Sequence, residues 1–209
     1  MGSIFQTDGP VFRVLNRFAD LMILNLLWIV CSLPVITIGA STTALYSVLL
    51  KVAKDEESYL IKSYFKAFIE NFRQGTVIYL IFLVISLIMA ADLYIVTNMS
   101  EIGSGLSMMK IPAIAGLVLI FLIAQFAFPI LARFENTVKN TIKNAFLMEL
   151  GNLPWFLLIT VINCLIPLVC IIFPEGMLKA FIALIFFGFS IPAYLNSCVF
   201  RKIFEKYEK

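Results

Sequence analysis

The first candidate for chemistry is a group of hydroxyl side chains that follows a helix breaker in an early apolar stretch. Residues 32–46 read SLPVITIGASTTALY and carry no charge. The helix-breaking and polar positions that matter here are Pro34, Thr37, Gly39, Ser41, Thr42 and Thr43. Proline ends or bends a helix, and many membrane transporters bind substrate where broken helices end near the bilayer midplane. The stretch therefore has two interpretations, a ligand site or a tight hairpin held by packing.

Further polar side chains lie inside apolar runs, where they are costly in lipid and become candidates for function: Asp20, Asn25, Asp92, Gln125 and Asn163. Asp20 follows Arg17 by three residues, which favours a local ion pair near a membrane interface. Asp92 comes late in its run and is expected to reach water or headgroups. The three amides lie nearer the centres of their runs, so we expect them to form hydrogen bonds between helices.

The residue types that most enzymes and metal sites need are missing from this pattern. The chain has no histidine, the commonest general base and metal ligand. The cysteines lie in apolar segments without a C-x-x-C spacing, and there is no nucleophile elbow or phosphate loop. We therefore expect no catalytic residues, no metal and no cofactor. The net charge of +3 is spread over several loops, which argues against a nucleic-acid partner.

The composition indicates that these segments lie in a lipid bilayer. The chain is 61% hydrophobic and 14% charged, whereas soluble domains are roughly half apolar and a quarter charged. We predict a single integral membrane domain over residues 1–209, an all-α polytopic helix bundle with about six membrane segments. The expected helices cover 11–33, 41–53, 75–97, 111–132, 154–173 and 177–200.

Two semi-polar segments have the spacing of amphipathic helices. In the first, the apolar positions recur every three or four residues: Ile61, Tyr64, Phe65, Phe68, Ile69 and Phe72. This period predicts a helix lying in the membrane interface, with packing against the rest of the protein as the alternative. The second segment covers 138–150, for which we also expect an interfacial helix, and it places Glu149 on the apolar face, with no partner assigned.

The helix after the first hairpin is expected to be short. Ser41 or Thr42 can cap its start, which leaves about 13 apolar positions, fewer than a full crossing needs. Non-helical backbone at membrane depth must be sheltered by protein. We therefore expect residues 34–40 to be covered by other helices and the nearby hydroxyls to bond to freed backbone groups.

The distribution of positive charge predicts the orientation, because short cytoplasmic loops are rich in Lys and Arg. If the chain turns back after Pro34, only Lys110 and Lys179 of the 16 basic residues lie outside. A single crossing there would move Arg13 and Arg17 to the outside. We predict six crossings with both termini cytoplasmic and keep five crossings as the alternative.

Several sequence blocks together resemble one family: ADL at 19–21, NLLW at 25–28, SLPVITIG at 32–39, ALY at 44–46, DEE at 55–57, FKAF at 65–68, NF at 71–72 and NLPW at 152–155. This combination resembles the YesL family, small bacterial membrane proteins of unknown function, over almost the whole chain. The resemblance implies a Gram-positive source and genes often found beside carbohydrate importers and glycan-degrading enzymes. It supplies no catalytic residues.

These observations lead to one main hypothesis and two alternatives. The main hypothesis is a non-enzymatic accessory or regulatory protein of the cell membrane, associated with carbohydrate uptake through an ABC-type importer. Its partners would be the lipid bilayer and importer subunits, with a homo-oligomer as a further option. The alternatives are a small membrane transporter with its site at residues 34–43, and a membrane scaffold or sensor.

Overall fold

Helices form the framework of the chain, and their ends follow its prolines and polar loops. The computed structural model describes residues 10–54, 56, 59–99, 110–172 and 184–208. The predicted turn at 173–176 and the beginning of the predicted 177–200 helix lie outside these ranges. In the described part the main helices are α1 (Pro10–Ser32), α2 (Ile38–Val52), α3 (Leu60–Met99), α4 (Lys110–Arg133), α5 (Val138–Gly151), α6 (Leu153–Ile172) and α7 (Ser190–Phe204).

Most of these helices are suited to a membrane. The described segments that are long and apolar enough to cross it are Phe12–Ser32, Val35–Val52, Leu60–Asn98, Lys110–Arg133 and Leu184–Phe204. A sixth arises if the bent pair Val138–Gly151 and Leu153–Leu165, which meet at 106°, is one span. The prediction of an all-α, multi-pass membrane helix bundle is therefore confirmed.

The chain turns back on itself after α1. Nη1 of Arg17, in the first half of α1, donates to the carbonyl of Val52 at the end of α2, at 2.9 Å. Trp28, near the end of α1, donates to Thr42 near the start of α2. The two helices therefore run antiparallel, and a single crossing of this region is wrong.

The segment that contains α2 is the central element of the bundle. Two-thirds of the residues in the Val35–Val52 window are buried (67%), compared with 17% for the best window of α1. A short 3₁₀ turn at Val35–Thr37 precedes α2, so the helix begins at Ile38 rather than after a Ser41 or Thr42 cap. The helix itself has 15 residues and extends about 22 Å, so it is short, as predicted, and the preceding turn lengthens the segment to 18 residues.

The turn between α1 and α2 is less sheltered than the sequence predicts. Leu33, Val35 and Ile36 are exposed at 74%, 56% and 53%, whereas burial begins at Thr37. The expectation that all of residues 34–40 would be covered is wrong for the first half of that range. The turn lies at the edge of the bundle, where its apolar side chains face outward.

Two glycines let α2 and α3 cross at close range. A Cβ added at Gly39 would collide with the carbonyl oxygen of Gly75 and lie 2.6 Å from Cβ of Tyr79. A Cβ added at Gly75 would lie 2.9 Å from Cα of Ala40. Small residues at such crossings allow close backbone approach, which favours helix association in membranes.

The predicted interfacial helix at 61–72 is not a separate element. It is the first third of α3, one continuous helix of 40 residues that extends about 60 Å. Tyr64 is fully buried and its hydroxyl lies 2.6 Å from Oγ of Ser41, whereas Phe65 and Ile69 are exposed. Tyr64 therefore packs against α2, whereas most of the apolar stripe is left exposed, and its placement in the membrane interface stays a prediction.

The second amphipathic segment does form its own helix, α5, outside the long spans. The Thr137 hydroxyl accepts a hydrogen bond from the amide of Asn140 (3.4 Å), which caps the start of the helix. Asn152 leaves helical geometry, with φ −134° and ψ 45°. Pro154 then lies in the first turn of α6, where a missing amide is tolerated. These residues produce the sharp bend that α3 lacks.

One end of the bundle collects basic side chains, and we call it the basic end. Here Arg201 donates to the carbonyl of Ala53 at 2.9 Å, so it caps α2 together with Arg17. Arg133 forms an ion pair with Glu208 at 2.6 Å. Cations at a helix C-terminus satisfy its free carbonyls and complement its dipole.

The glycine crossing gives a direct test. We predict that Gly39→Ala lowers the stability of the detergent-purified protein by about 1–3 kcal/mol, because the new methyl group overpacks the α2–α3 contact. Thermal melting followed by size-exclusion chromatography measures the effect. Gly151→Ala is the matched control, since its added Cβ meets only the Tyr207 hydroxyl at 3.4 Å. Equal melting temperatures for the two variants would contradict the assignment of Gly39 to a close α2–α3 contact.

Candidate functional site

The last membrane segment is interrupted, and Asn25 of α1 bridges the interruption. Its Nδ2 donates to the carbonyls of Leu184 (3.2 Å) and Ile185 (2.6 Å). Its Oδ1 accepts from the amides of Phe189 (2.9 Å) and Ser190 (3.0 Å). One fully buried side chain thus satisfies backbone groups on both sides of the break.

The break explains why α7 begins later than the sequence predicts. Residues 184–187 are helical, Gly188 and Phe189 form a turn, and α7 starts at Ser190. Pro192 has no amide hydrogen, and in a continuous helix its ring would clash with the carbonyl four residues earlier, at Gly188. The uninterrupted 177–200 helix is therefore wrong in its described part. The Gly188–Pro192 spacing was the available signal.

The other central amides form a chain of hydrogen bonds between helices. Asn163 donates to Oε1 of Gln125 at 2.7 Å, and Gln125 donates to the Thr160 hydroxyl at 3.4 Å. Asn196 donates to Oδ1 of Asn163 at 2.8 Å and to the Tyr46 hydroxyl at 3.3 Å. We call these five residues the polar chain. It links α2, α4, α6 and α7, and it contains the interhelical bonds that the sequence predicts for Gln125 and Asn163.

A cavity of about 420 Å³ lies beside the break and the polar chain. We call it the Trp28 cavity. Its lining comes from α1, α2, α6 and the interrupted last segment, and consists of Trp28, Thr42, Leu45, Tyr46, Asn163, Pro167, Leu184, Gly188, Phe189, Pro192 and Ala193. Largely apolar pockets with a few convergent polar groups are typical small-molecule sites, and roughly 300–1,000 Å³ is their usual volume.

Trp28 connects the two interruptions of the bundle. Its indole stacks on the ring of Phe189 in the break that precedes α7, here called the α7 break, with centroids 3.9 Å apart and an interplanar angle of 27°. Its Nε1 donates to Oγ1 of Thr42 at 3.1 Å. Trp28 therefore forms a wall of the cavity that is in contact with both the first hairpin and the break.

The hydroxyl side chains of the first hairpin have two roles: most of them bond to the backbone, and one lines the Trp28 cavity. Thr37 donates to the carbonyls of Cys31 and Pro34, both at 2.6 Å, and Thr43 donates to Gly39 at 2.8 Å. These bonds satisfy backbone groups near the turn, as the sequence predicts.

Ser41 also serves the backbone, because its hydroxyl donates to the carbonyl of Trp28 at 3.1 Å. Thr42 alone among the predicted hairpin positions lines the Trp28 cavity, whereas Pro34 and Gly39 shape the turn and the helix crossing. A ligand site formed by the whole 34–43 stretch is therefore not what the geometry supports.

The two predicted intramembrane carboxylates stand apart from the cavity lining. Asp20 is half-buried in α1, and Asp92 is exposed near the end of α3. Arg17, the expected partner of Asp20, is engaged with Val52 and lies over the ring of Tyr194, with its guanidinium carbon 5.7 Å from the centroid. The Asp20–Arg17 pair stays a prediction.

Glu149 on α5 is a buried carboxyl. Its exposure is 5%, and Oε2 has no hydrogen-bond partner among the described residues. Burial raises the pKa of Glu149 to about 7, because desolvation disfavours the charged form.

The arrangement around the cavity is suited to holding a small molecule. In the described ranges, no cluster of three His, Cys, Asp or Glu side chains could hold a metal ion. The groups at the cavity that can direct a ligand are hydroxyls, an amide and aromatic rings. Sequence reasoning missed Tyr46, Asn196 and Phe189, which resemble ordinary apolar-face or helix-interior residues until the helices are packed.

Comparison with known families gives one result. Residues 21–93 match a family described as "Protein of unknown function, DUF624". The match covers about a third of the chain, from the second half of α1 through the hairpin and α2 to most of α3. It includes Asn25, Trp28 and both crossing glycines. The comparison with curated proteins gives no match, and neither does the comparison with solved structures.

The Asn25 bridge can be tested by its removal. We predict that Asn25→Leu lowers stability by about 2 kcal/mol, since four backbone groups lose a partner and interhelical hydrogen bonds in membranes average roughly 0.6 kcal/mol each. Thermal melting in detergent measures the loss. Asn16→Leu, an exposed position on the same helix, is the control and should melt as wild type does. A small, equal effect in both variants would show that the break does not need Asn25.

Proposed function

We propose that this chain is a non-enzymatic, YesL-type protein of a Gram-positive cell membrane, which binds a small molecule in the Trp28 cavity and assists carbohydrate uptake as an accessory or regulatory component of an ABC-type importer. The observation that carries the ligand-binding part is the position of the cavity. It lies where the first hairpin, the α7 break and the polar chain meet.

The contacts around the cavity support a link between ligand binding and the arrangement of the neighbouring helices. Trp28 stacks on Phe189 within the break, and Asn25 holds that break through backbone bonds alone. A ligand against Trp28 would therefore touch the part of the last membrane segment where the amides of Phe189 and Ser190 bond to Asn25. Such a segment is a suitable place for a bound molecule to bias the arrangement of two helices.

The association with an importer rests on the family resemblance and has support at the basic end. Residues 21–93 contain the NLLW and SLPVITIG blocks that carry much of the resemblance. At the basic end, α5 meets α6 at 106° and exposes the apolar side chains of Phe146, Leu147 and Leu150. In an accessory role, this surface would contact a neighbouring membrane protein instead of lipid.

A second function, an autonomous small transporter, is favoured by one specific observation. The last membrane segment is discontinuous at Gly188 and Phe189, directly beside the cavity. Discontinuous helices with free ends at membrane depth form the substrate sites of many transporters. In this alternative the cavity would hold the transported solute itself.

The proposed orientation places the basic end and both termini in the cytoplasm. We predict that single cysteines at Arg13, Lys54 and Lys202, in a background without the native cysteines, react with an impermeant maleimide only after the membrane is opened. A cysteine at Asn98, at the far end of α3, should react in intact cells. The orientation rests on the preference of positive residues for the cytoplasmic side. Labelling of Arg13→Cys in intact cells would contradict it.

The accessory role can be separated from autonomous transport with the two tryptophans of the chain. We predict that deletion of the gene lowers importer-dependent sugar uptake in the native host, and that Trp155→Leu restores uptake whereas Trp28→Leu does not. The reason is that Trp28 lines the cavity, while Trp155 contacts Lys202, whose Nζ is 5.4 Å from the ring centroid.

Purified protein in proteoliposomes supplies the second arm of this test. Solute uptake by the protein alone would establish the autonomous transporter and overturn the accessory role. Unchanged sugar uptake in the deletion strain, with no importer permease in a mild-detergent co-purification, would also overturn it.

A further inference from the structure

We infer that the Trp28 cavity takes an uncharged amphiphile, a molecule with an apolar body and one hydroxyl group, rather than a sugar or an ion. This inference rests on the proposed ligand-binding function and names the class of ligand. It follows from which described residues line the cavity and which of their polar atoms are already hydrogen-bonded.

Charge is the first criterion. No Asp, Glu, Lys or Arg side chain is among the described lining residues of the cavity. An ionised ligand would therefore lose part of its water without gaining a counter-charge from these residues, which is unfavourable.

The number of hydrogen-bonding groups is the second criterion. Among the described lining residues, only Thr42, Tyr46 and Asn163 carry a hydroxyl or an amide, apart from Trp28, whose indole is bonded to Thr42. A sugar carries a hydroxyl on most of its carbons, and each one without a partner reduces affinity. The lining has too few polar groups for a sugar, but enough for a single hydroxyl.

The existing bonds leave specific positions open. The Thr42 hydroxyl accepts from Trp28, and the Tyr46 hydroxyl accepts from Asn196. A hydroxyl has one donor and two acceptor positions, so each of these bonds uses an acceptor position. A ligand hydroxyl can accept from one of them and donate to the other, and it need not displace a bond of the polar chain.

The rest of the cavity sets the apolar body. Leu45, Pro167, Leu184, Pro192 and Ala193 form hydrocarbon walls. The volume of about 420 Å³ equals that of about fourteen water molecules at roughly 30 Å³ each. A chain of about ten carbon atoms with one oxygen is comparable in size, so decanol is a suitable probe.

The experiment uses Trp28 as its own reporter. Trp155→Phe leaves Trp28 as the sole tryptophan of the chain, and the variant is placed in phosphatidylcholine nanodiscs, free of alkyl detergent. 10-Bromodecanol should quench Trp28 fluorescence saturably, and unlabelled decanol should reverse the quenching. 1-Bromodecane and 10-bromodecanoate should bind at least about fivefold more weakly, consistent with the loss of a hydrogen bond or the burial of a charge.

Matched variants identify the hydroxyl partners. Thr42→Val and Tyr46→Phe should each weaken bromodecanol about fivefold while leaving bromodecane unchanged, and Thr42→Ser should bind as the parent does. Ala193→Leu, which fills part of the cavity, should remove the saturable component. Quenching that persists in Ala193→Leu would mean partition into the bilayer and would overturn the proposal.

The outcomes also separate this inference from the proposed function. Reversal of quenching by glucose or maltose, or tighter binding of bromodecanoate, would show a ligand site of a different class. The ligand class would then be wrong while the cavity keeps its binding role. The absence of saturable quenching by the alcohol, together with no shift of Trp28 emission by sugars or by decanoate, would reject ligand binding in the cavity altogether.

Discussion

Backbone amides and carbonyls at membrane depth need partners within the protein, since lipid offers none. This constraint is hardest to meet at the two interruptions of the bundle. At the α7 break, one amide side chain from α1, Asn25, bonds to carbonyls on one side and to amides on the other. At the first hairpin, Thr37 and Ser41 satisfy carbonyls at the end of α1. Both solutions bind α1 to its neighbours, so the positions of the helices follow from where backbone groups have to be satisfied.

The buried helix α2 joins these solutions into one bundle. Its start crosses α3 at the glycine pair Gly39 and Gly75, where a methyl group would not fit. Its end is capped by Arg17 and Arg201, which come from helices at opposite ends of the sequence. The helix is therefore fixed at both ends by contacts that depend on different physics, steric fit at one and electrostatic capping at the other. The Trp28 cavity lies along this fixed helix and beside the interrupted segment that precedes α7. A ligand there would meet a buried, capped helix on one side and, on the other, a wall that contains a helix break.

The amide and hydroxyl groups at the Trp28 cavity also limit the kind of ligand that it can bind. The polar chain uses most of its hydrogen-bonding capacity within the protein, and the cavity lining carries few additional polar groups. A site of this kind discriminates by shape and by a single polar contact, whereas recognition of a sugar calls for many. An accessory role in carbohydrate uptake, with a lipid-like ligand, is compatible with this chemistry. Autonomous sugar transport through the same cavity would require more polar partners than its described lining residues provide.

The sequence alone determined the class of the protein and much of its local structure. Hydrophobic runs predict the membrane helices, Pro34 predicts the first turn, and the count of basic residues predicts that the chain turns back. The central amides Gln125 and Asn163 were also recognisable as interhelical hydrogen-bonders, because a polar group inside an apolar run needs a partner. Only the tertiary structure decided which partners these groups have. Asn25 and Ile185 are 160 residues apart, and local periodicity contains no information on such pairs. The sequence also left open where residues 61–72 lie, because their apolar stripe would suit the membrane interface. The tertiary structure makes them the first part of α3 and places the Tyr64 hydroxyl against Ser41 of the buried helix α2. The cavity is the clearest case: its walls come from four separate parts of the chain, and its shape exists only once the breaks and the glycine crossing have set the distances between them.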